Sequence, residues 1–328
     1  MRAQNSISLV GYEAALSGSA FYPQAEAGYL RIGGPDRQSF LQRQSTNDVG
    51  LLSAERSVTT VLTSATARIL DVLTLIAEPE AIGAITLPGL AAATTRFLQS
   101  RIFFMDQVTV EDASGEFAQI DLMGPKAAQT LLQLGLERVP SQDEMAVGDI
   151  SGTGVLILSQ QKLGYRLLVA AEQAERISAI MLEGGAAQLA PEHYAVIRVE
   201  VGLPAAGHEL TEDYTPLETG LAWAISNDKG CYTGQEVIAR QITYDKITRQ
   251  LVGLKLDEEA KSADKVWTLE GNKSVGNITS IASSPCFGHI ALAVIKKPYY
   301  EPETKVLIGD LGAAIQGTVT TLPFRGEA

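Results

Sequence analysis

The stretch Lys229-Gly230-Cys231-Tyr232-Thr233-Gly234-Gln235-Glu236 places one of the chain's two cysteines between two glycines and close to a lysine. Thr233 and Glu236 have the spacing of a capping box. In that motif the hydroxyl accepts a hydrogen bond from the amide three residues on, and the carboxylate accepts one from the threonine amide. The spacing therefore predicts that a helix begins here and continues through residues 237–242.

Among the residues of this stretch, Cys231 is the strongest candidate for a chemical role. The unpaired amides of a helix N-terminus carry partial positive charge, and Lys229 adds a full charge, so both favour a thiolate over a thiol. A thiolate is a nucleophile, a metal ligand or a redox group. The alternative is a small buried apolar cysteine, with Gly230 and Gly234 serving only as turn residues. The flanking glycines and the lysine favour an exposed, electropositive loop.

The composition is that of a globular protein with more than one domain. The chain has 328 residues, of which 45% are hydrophobic and 20% charged, and single cores stop growing near ~250 to 300 residues. No apolar run approaches the ~20 residues of a membrane span. Residues 1–24 lack a secretory signal pattern, and two cysteines without a CxxC pair fit a reducing compartment. We therefore expect a cytoplasmic protein.

No metal site is expected from the sequence. Cys231 and Cys286 cannot complete a tetrahedral site by themselves, and His193, His208 and His289 show no ligand spacing with them. A metal or cluster held by one chain would be incompletely ligated.

The formal net charge of −12 opposes general attraction to nucleic acid or anionic membranes. An anionic small ligand would need a local basic patch, and one candidate lies between residues 229 and 249. The alternative is a solvated charged face. The patch comprises Lys229, Arg240, Lys246 and Arg249, together with the acids Glu236 and Asp245.

Apolar periodicity predicts strands and helices in alternation up to residue 201, after an irregular start. Beyond Arg249, short apolar runs alternate with turns, which is typical of a small barrel. The chain is therefore expected to be α+β. The predicted strands are 29–32, 58–63, 69–77, 108–110, 120–122, 155–158 and 165–169. The predicted helices are 90–103, 173–182, 192–201 and two that begin near Pro35 and Pro125.

Asp71 interrupts the second of two paired apolar strands. A carboxylate there lies either on the solvated face of the strand or in the interior for a functional reason. We place it on the solvated face.

The cysteine stretch, followed by Val237-Ile238-Ala239-Arg240, resembles the motif of the YgfZ family of folate-binding proteins at almost every position. That family shares its fold with the aminomethyltransferase (T-protein) of the glycine cleavage system, and the resemblance covers nearly the whole chain. Weaker matches follow in family order at residues 46–49, 124–127, 164–169, 198–204, 207–210, 215–218, 220–223, 275–280 and 290–294.

The resemblance implies two intertwined ferredoxin-like subdomains and a C-terminal small β-barrel around a central channel that admits tetrahydrofolate. The folate-binding region would be residues 1–245, with its two subdomains possibly discontinuous, and the barrel residues 246–328. Glu200 would hold the pterin, because a carboxylate suits its N–H donors. Asp71 would lie near the reacting carbon unit.

Within and after the motif, the resemblance implies further folate contacts from Lys229, Arg240, Tyr232 and Gln235. The two basic residues would meet the benzoyl-glutamate end of the ligand. Cys231 would be the residue that carries the chemistry.

Two departures bear on function. The transferases carry an acidic pair after two glycines, whereas residues 66–72 here contain neither glycine and one acid, which argues against aminomethyl transfer. The transferases also lack the cysteine motif. The resemblance therefore implies an accessory factor, not a classical enzyme, that supports iron–sulfur cluster assembly or repair and thereby tRNA-modifying cluster enzymes. Its partners would be iron–sulfur client or assembly proteins, without direct nucleic-acid or membrane contact. The alternative is a folate-dependent one-carbon transferase of the aminomethyltransferase type.

Overall fold

The computed structural model describes residues 4–244 and 246–325, so Asp245 of the predicted basic patch lies outside the described residues. The chain forms two compact units, each built from several segments. The first unit comprises Met1–Leu62, Asp71–Tyr194 and Ala224–Thr233, and the second comprises Thr63–Leu70, Ala195–Trp223 and Gly234–Ala328. The domain boundary between residues 245 and 246 stays a prediction.

Helices and strands alternate through the first 200 residues. The helices are α1 Gln4–Ser17, α2 Arg37–Gln44, α3 Ala91–Gln99, α4 Ala127–Gln133, α5 Ala174–Glu183 and α6 Pro191–Glu200. The strands are β1 Ala20–Pro23, β2 Gly28–Gly33, β3 Val58–Thr63, β4 Ile69–Ala77, β5 Ala81–Thr86, β6 Thr109–Asp112, β7 Phe117–Met123, β8 Met145–Ile150, β9 Thr153–Gln160, β10 Gly164–Ala170 and β11 Ala187–Gln188.

These strands form two sheets that are interleaved along the sequence. The six-stranded sheet has the order β11-β1-β7-β10-β9-β8, and the five-stranded sheet has the order β3-β4-β5-β2-β6. The chain starts the first sheet with β1, builds the whole second sheet, and then returns with β7. Apolar side chains of both sheets meet in one cluster, including Tyr29, Ile76 and Ile85 from the five-stranded sheet and Leu158 and Leu168 from the other.

A closed barrel follows α7 Gln235–Thr243. Its strands run in the order β12-β15-β14-β13-β16-β17. Closure pairs every strand on both sides, which removes exposed sheet edges. The barrel and the α+β class are confirmed. The strands are β12 Arg249–Leu256, β13 Lys265–Thr268, β14 Ser274–Ser284, β15 Gly288–Lys296, β16 Lys305–Ile308 and β17 Ile315–Thr320.

The expected irregular start is wrong, since α1 and β1 occupy most of the first 23 residues. Gly11 within α1 explains why the sequence pattern did not predict this helix. A Cβ there would lie 2.7 Å from the Gln188 carbonyl oxygen, so the glycine lets the helix approach β11 closely. Glycine in a helix interior disfavours the helix locally, and tertiary packing overrides that cost here.

The predicted strands at residues 58–63 and 69–77 coincide with β3 and β4, and the predicted helix at residues 192–201 is α6. The strands β5 and β8 were not predicted. Among the described helices, none is long and apolar enough to cross a membrane.

Candidate functional site

The segment before Cys231 is fastened to the loop at residues 45–47 of the same unit. The Lys229 ammonium donates to the carbonyl oxygens of Ser45 at 2.7 Å and Asn47 at 2.6 Å. Thr46 donates its hydroxyl to the Ala224 carbonyl at 2.7 Å. The chain leading to the cysteine is therefore held from both ends of this segment.

Lys229 is buried, which lowers the pKa of its ammonium to about 8, while the nearby Asp48 carboxylate opposes that shift. Two of its three N–H donors serve the carbonyls, and the ammonium also lies 5.2 Å from the centre of the Tyr232 ring. Burial raises the pKa of the Tyr232 hydroxyl to about 12. Both side chains thus shape the loop, and their contact with folate stays a prediction.

Cys231 itself is exposed, as the flanking glycines indicated. The neighbouring Gly230 is exposed too, and a Cβ added there would meet nothing within 4 Å. A small side chain at position 230 would therefore fit without displacing nearby atoms. The assignment of Cys231 as the acting residue stays a prediction.

The predicted capping box is wrong. Helix α7 begins at Gln235, and its N-cap is Gly234, which has a φ of 85° and no side chain with which to cap the helix. Only a residue without a Cβ takes this left-handed conformation at little cost. Glu236 is exposed and pairs with Arg240 one turn on, so its carboxylate serves a surface ion pair. Contact of Gln235 and Arg240 with folate stays a prediction.

Asp71 is fully buried, so its placement on a solvated face is wrong. It shares the buried side of β4 with Ile69 and Leu73. Its Oδ1 accepts from the amides of Val72 at 2.7 Å and Leu87 at 3.0 Å. Its Oδ2 accepts from the Thr94 hydroxyl at 2.5 Å. These donors come from β4 itself, from the residue after β5 and from helix α3.

Burial raises the pKa of Asp71 to about 7, against the hydrogen bonds, which lower it. The unfolded carboxyl titrates near its ordinary value of 3.8. Between these values the folded chain keeps a proton that the unfolded chain releases, so the contribution of Asp71 to stability is lost as pH rises from about 4 to about 7.

Asp71→Asn keeps an acceptor for both amides and cannot ionise. We expect its advantage in unfolding free energy over wild type to grow from about pH 4 to about pH 7 and then level off. Denaturant unfolding at several pH values measures this difference. An advantage that shrinks as pH rises would contradict the burial effect on this carboxyl.

Glu200, the last residue of α6, is buried in the second unit. Its Oε1 accepts from the Ser284 hydroxyl at 2.5 Å, and its Oε2 lies 3.3 Å from an Arg325 nitrogen. Arg325 is the more exposed partner, and its guanidinium also lies over the Phe287 ring at 5.5 Å. A carboxylate, a guanidinium and an aromatic face therefore lie together.

Cys286 belongs to this same group of side chains. Its Sγ accepts from Arg325 Nη2 at 3.2 Å, and its amide donates to Ser284 Oγ at 3.0 Å. Cys286 has no charged neighbour along the sequence, but in the fold Arg325 approaches it from 39 residues away. Cys286 is exposed, as Cys231 is.

A buried polar cluster in the first unit was not predicted. Asp121 on β7 is fully buried, and both of its oxygens accept from Arg166 on β10, at 2.7 and 3.0 Å. The Tyr194 hydroxyl donates to it at 2.9 Å, and Gln24 and Gln160 each donate at 2.5 Å. Asp121 and Arg166 are register partners on neighbouring strands.

The electrostatics of this cluster follow from the carboxylate. Burial alone would lower the pKa of Arg166, but the charge of Asp121 outweighs it and the pKa is raised. Burial and then the same charge raise the pKa of Tyr194, which stays protonated. The Tyr194 ring stacks on Tyr22, with 4.2 Å between ring centres. The sequence signal that could have revealed this cluster was one acid, Asp121, and one base, Arg166, each inside a predicted apolar strand.

Within the described residues, no group of three histidine, cysteine or acidic side chains could hold a metal ion. Such a group would take all its ligands from this chain, whereas a metal site shared with a partner protein would take ligands from both chains.

Comparison with known proteins shows the family. Residues 12–229 match the GCVT N-terminal domain, and residues 249–325 match the glycine cleavage T-protein C-terminal barrel domain. The chain therefore belongs to the glycine cleavage T-protein family. Aminomethyltransferases of this family use tetrahydrofolate, the cofactor that the sequence resemblance implied.

Individual relatives agree with that assignment. The chain is 31% identical to "Putative transferase At1g60990, chloroplastic" of Arabidopsis thaliana, over 90% of this chain and 69% of the relative. It is 26% identical to an aminomethyltransferase of Listeria innocua, over 97% of this chain and 89% of the relative. The crystal structure of the glycine cleavage system aminomethyltransferase T from Bartonella henselae shares the fold, with a TM-score of 0.83, 22% identity and coverage of 97% and 89%.

Proposed function

We propose that this chain is a tetrahydrofolate-binding accessory factor of the YgfZ type. Its exposed Cys231 supports iron–sulfur cluster assembly or repair in client proteins, and through them cluster enzymes that modify tRNA. The proposed location is the cytoplasm. The observation that carries the proposal is the contrast between an exposed thiol on a fastened loop and an acid, Asp71, that is enclosed by local donors.

The chemistry of the Glu200 group fits a reduced pterin. The Glu200 carboxylate supplies acceptors for amino and ring N–H groups, and the Arg325 guanidinium supplies donors for a ring carbonyl. Phe287 adds an aromatic face beside the guanidinium. When bound, tetrahydrofolate supplies a carrier for one-carbon units. Contacts from Lys229, Arg240, Tyr232 and Gln235 belong to the same proposal.

Cys231 acts in this proposal as a thiolate. One thiolate per chain cannot hold a cluster alone, so the remaining ligands come from a client, a second subunit or a small thiol.

Glu200→Gln tests the folate contact, because glutamine keeps the length and one acceptor but removes the charge. We expect the affinity for tetrahydrofolate to fall about tenfold or more, since a charge-assisted hydrogen bond contributes ~1.5 to 3 kcal/mol. Calorimetric titration of the full chain measures this. Glu212→Ala, at an exposed acid of the same unit, is the matched control. Unchanged affinity in folded Glu200→Gln would remove Glu200 from the site.

A second candidate is a folate-dependent aminomethyltransferase, which the family match and the names of the Listeria and Bartonella relatives favour. One reaction distinguishes the two candidate functions: the formation of methylenetetrahydrofolate from an aminomethyl group on a lipoyl carrier. Robust formation that is lost in Asp71→Asn would favour the transferase over the accessory factor.

A further inference from the structure

A basic cavity of about 660 Å³ lies within the second unit. Five separate segments line it: the turn before β4, the turn at residues 215–218, helix α7, the chain entering β12 and the end of β15. This volume is within the range of small-molecule sites, ~300 to 1,000 Å³. The lining residues are Thr66, Arg68, Thr215, Glu218, Val237, Gln241, Lys246, Ile247, Thr248, Arg249, Lys296 and Lys297.

The described lining carries an excess of positive charge. Five of its side chains are lysine or arginine, and Glu218 is the sole carboxylate among the described lining residues. Glu218 is buried and already bound by Arg249, through contacts of 2.8 and 3.0 Å, with Arg68 at 3.7 Å. The carboxylate therefore fixes the two arginines, whereas Lys246 and Lys296 are exposed to solvent.

Two residues of the basic patch predicted from sequence, Lys246 and Arg249, are among these side chains, whereas Lys229 and Arg240 do not line the cavity. The location is notable in a chain of net charge −12, which repels anions in general. A local concentration of cations is therefore needed wherever such a chain takes an anionic ligand.

The Gln241 carboxamide gives a second, independent indication that the cavity binds a polar ligand. Its nitrogen donates weakly to the Thr215 hydroxyl at 3.4 Å, and its oxygen is buried without a hydrogen-bond partner among the described residues. Exchanging the oxygen and nitrogen assignments leaves the nitrogen in that position instead. In either orientation one polar atom in the cavity wall lacks the partner that buried polar groups normally have.

We propose that this cavity binds a small linear polyanion, a chain of γ-linked carboxylates or of phosphates. Cations on several segments suit a ligand whose charges are spread along its length, and not a single point anion. The Gln241 carboxamide would then pair with a polar atom of the ligand backbone. This site goes beyond the proposed folate function and does not depend on pterin binding.

Calorimetric titration of the full chain with tri-γ-glutamate and with tripolyphosphate, neither of which contains a pterin, tests the proposal. The variant Lys246→Ala/Lys296→Ala removes two exposed cavity cations and leaves the arginines that hold Glu218. We expect it to weaken binding about tenfold or more. The control Lys255→Ala/Lys305→Ala removes the same charge from exposed barrel positions outside the cavity and is expected to change affinity less than twofold.

A preference for one probe identifies the source of the polyanion, and binding of both supports a site for the shared chemistry. Equal weakening in the two double variants would show bulk charge attraction and overturn the proposal. Failure of both probes to bind the wild-type chain would overturn it as well, without bearing on tetrahydrofolate affinity.

Discussion

Asp121→Ala is expected to lower the free energy of unfolding by about 3 kcal/mol, because it leaves the Arg166 guanidinium in the fold without its carboxylate. Breaking a buried ion pair from one side costs ~3 to 5 kcal/mol. The lower end applies here, since the Arg166 side chain keeps 20% of its surface exposed while Asp121 has none. The change also removes the acceptor shared by Tyr194, Gln24 and Gln160. Denaturant unfolding measures the loss.

Two further variants separate the ion pair from the general cost of a substitution. Glu137→Ala removes an exposed carboxylate from the same unit and is expected to change stability by less than about 0.5 kcal/mol. Asp121→Ala combined with Arg166→Met removes both charges and is expected to recover part of the loss. If Asp121→Ala costs no more than Glu137→Ala, the cluster does not stabilise the first unit.

Cys231→Ser is expected to abolish support of iron–sulfur enzymes while the fold and the tetrahydrofolate affinity persist. Serine preserves the size and hydrogen bonding of the side chain but is neither a soft metal ligand nor a comparable nucleophile. Because Cys231 is exposed, the substitution leaves no cavity in a core. Thermal unfolding and calorimetry with tetrahydrofolate measure the retained properties.

Asn227→Ala, an exposed position in the same segment, is the matched control for the loop. Cys286→Ser controls for loss of a thiol as such. Because Arg325 contacts both Cys286 and Glu200, the folate affinity of Cys286→Ser needs to be measured alongside its activity. A loss of function in Asn227→Ala equal to that in Cys231→Ser would place the effect in the loop conformation and not in the thiol.

The sequence predicted the architecture well where the signals are local. Alternating apolar residues and turn residues placed β3, β4 and the β9–β10 hairpin, and the short runs after Arg249 placed the barrel. The interleaving of two sheets came from the resemblance. It depends on which strands pair, and contacts between distant segments leave little periodic trace.

Side chains whose role depends on such contacts could not be placed from sequence. Asp71 and Asp121 each interrupt an apolar strand, and only the neighbouring strands show that both are buried. The partner of Cys286 is Arg325, near the end of the described chain, and no spacing rule connects them. The capping box failed because Gly234 takes a left-handed conformation and itself occupies the N-cap.

The most direct measurement of the central claim is the activity of an iron–sulfur enzyme in cells that lack this protein and are supplied with wild type, Cys231→Ser or Asn227→Ala at equal abundance. The proposed function predicts recovery with wild type and with Asn227→Ala, and none with Cys231→Ser, whose purified form still binds tetrahydrofolate. Full recovery with Cys231→Ser would contradict a role for the thiolate.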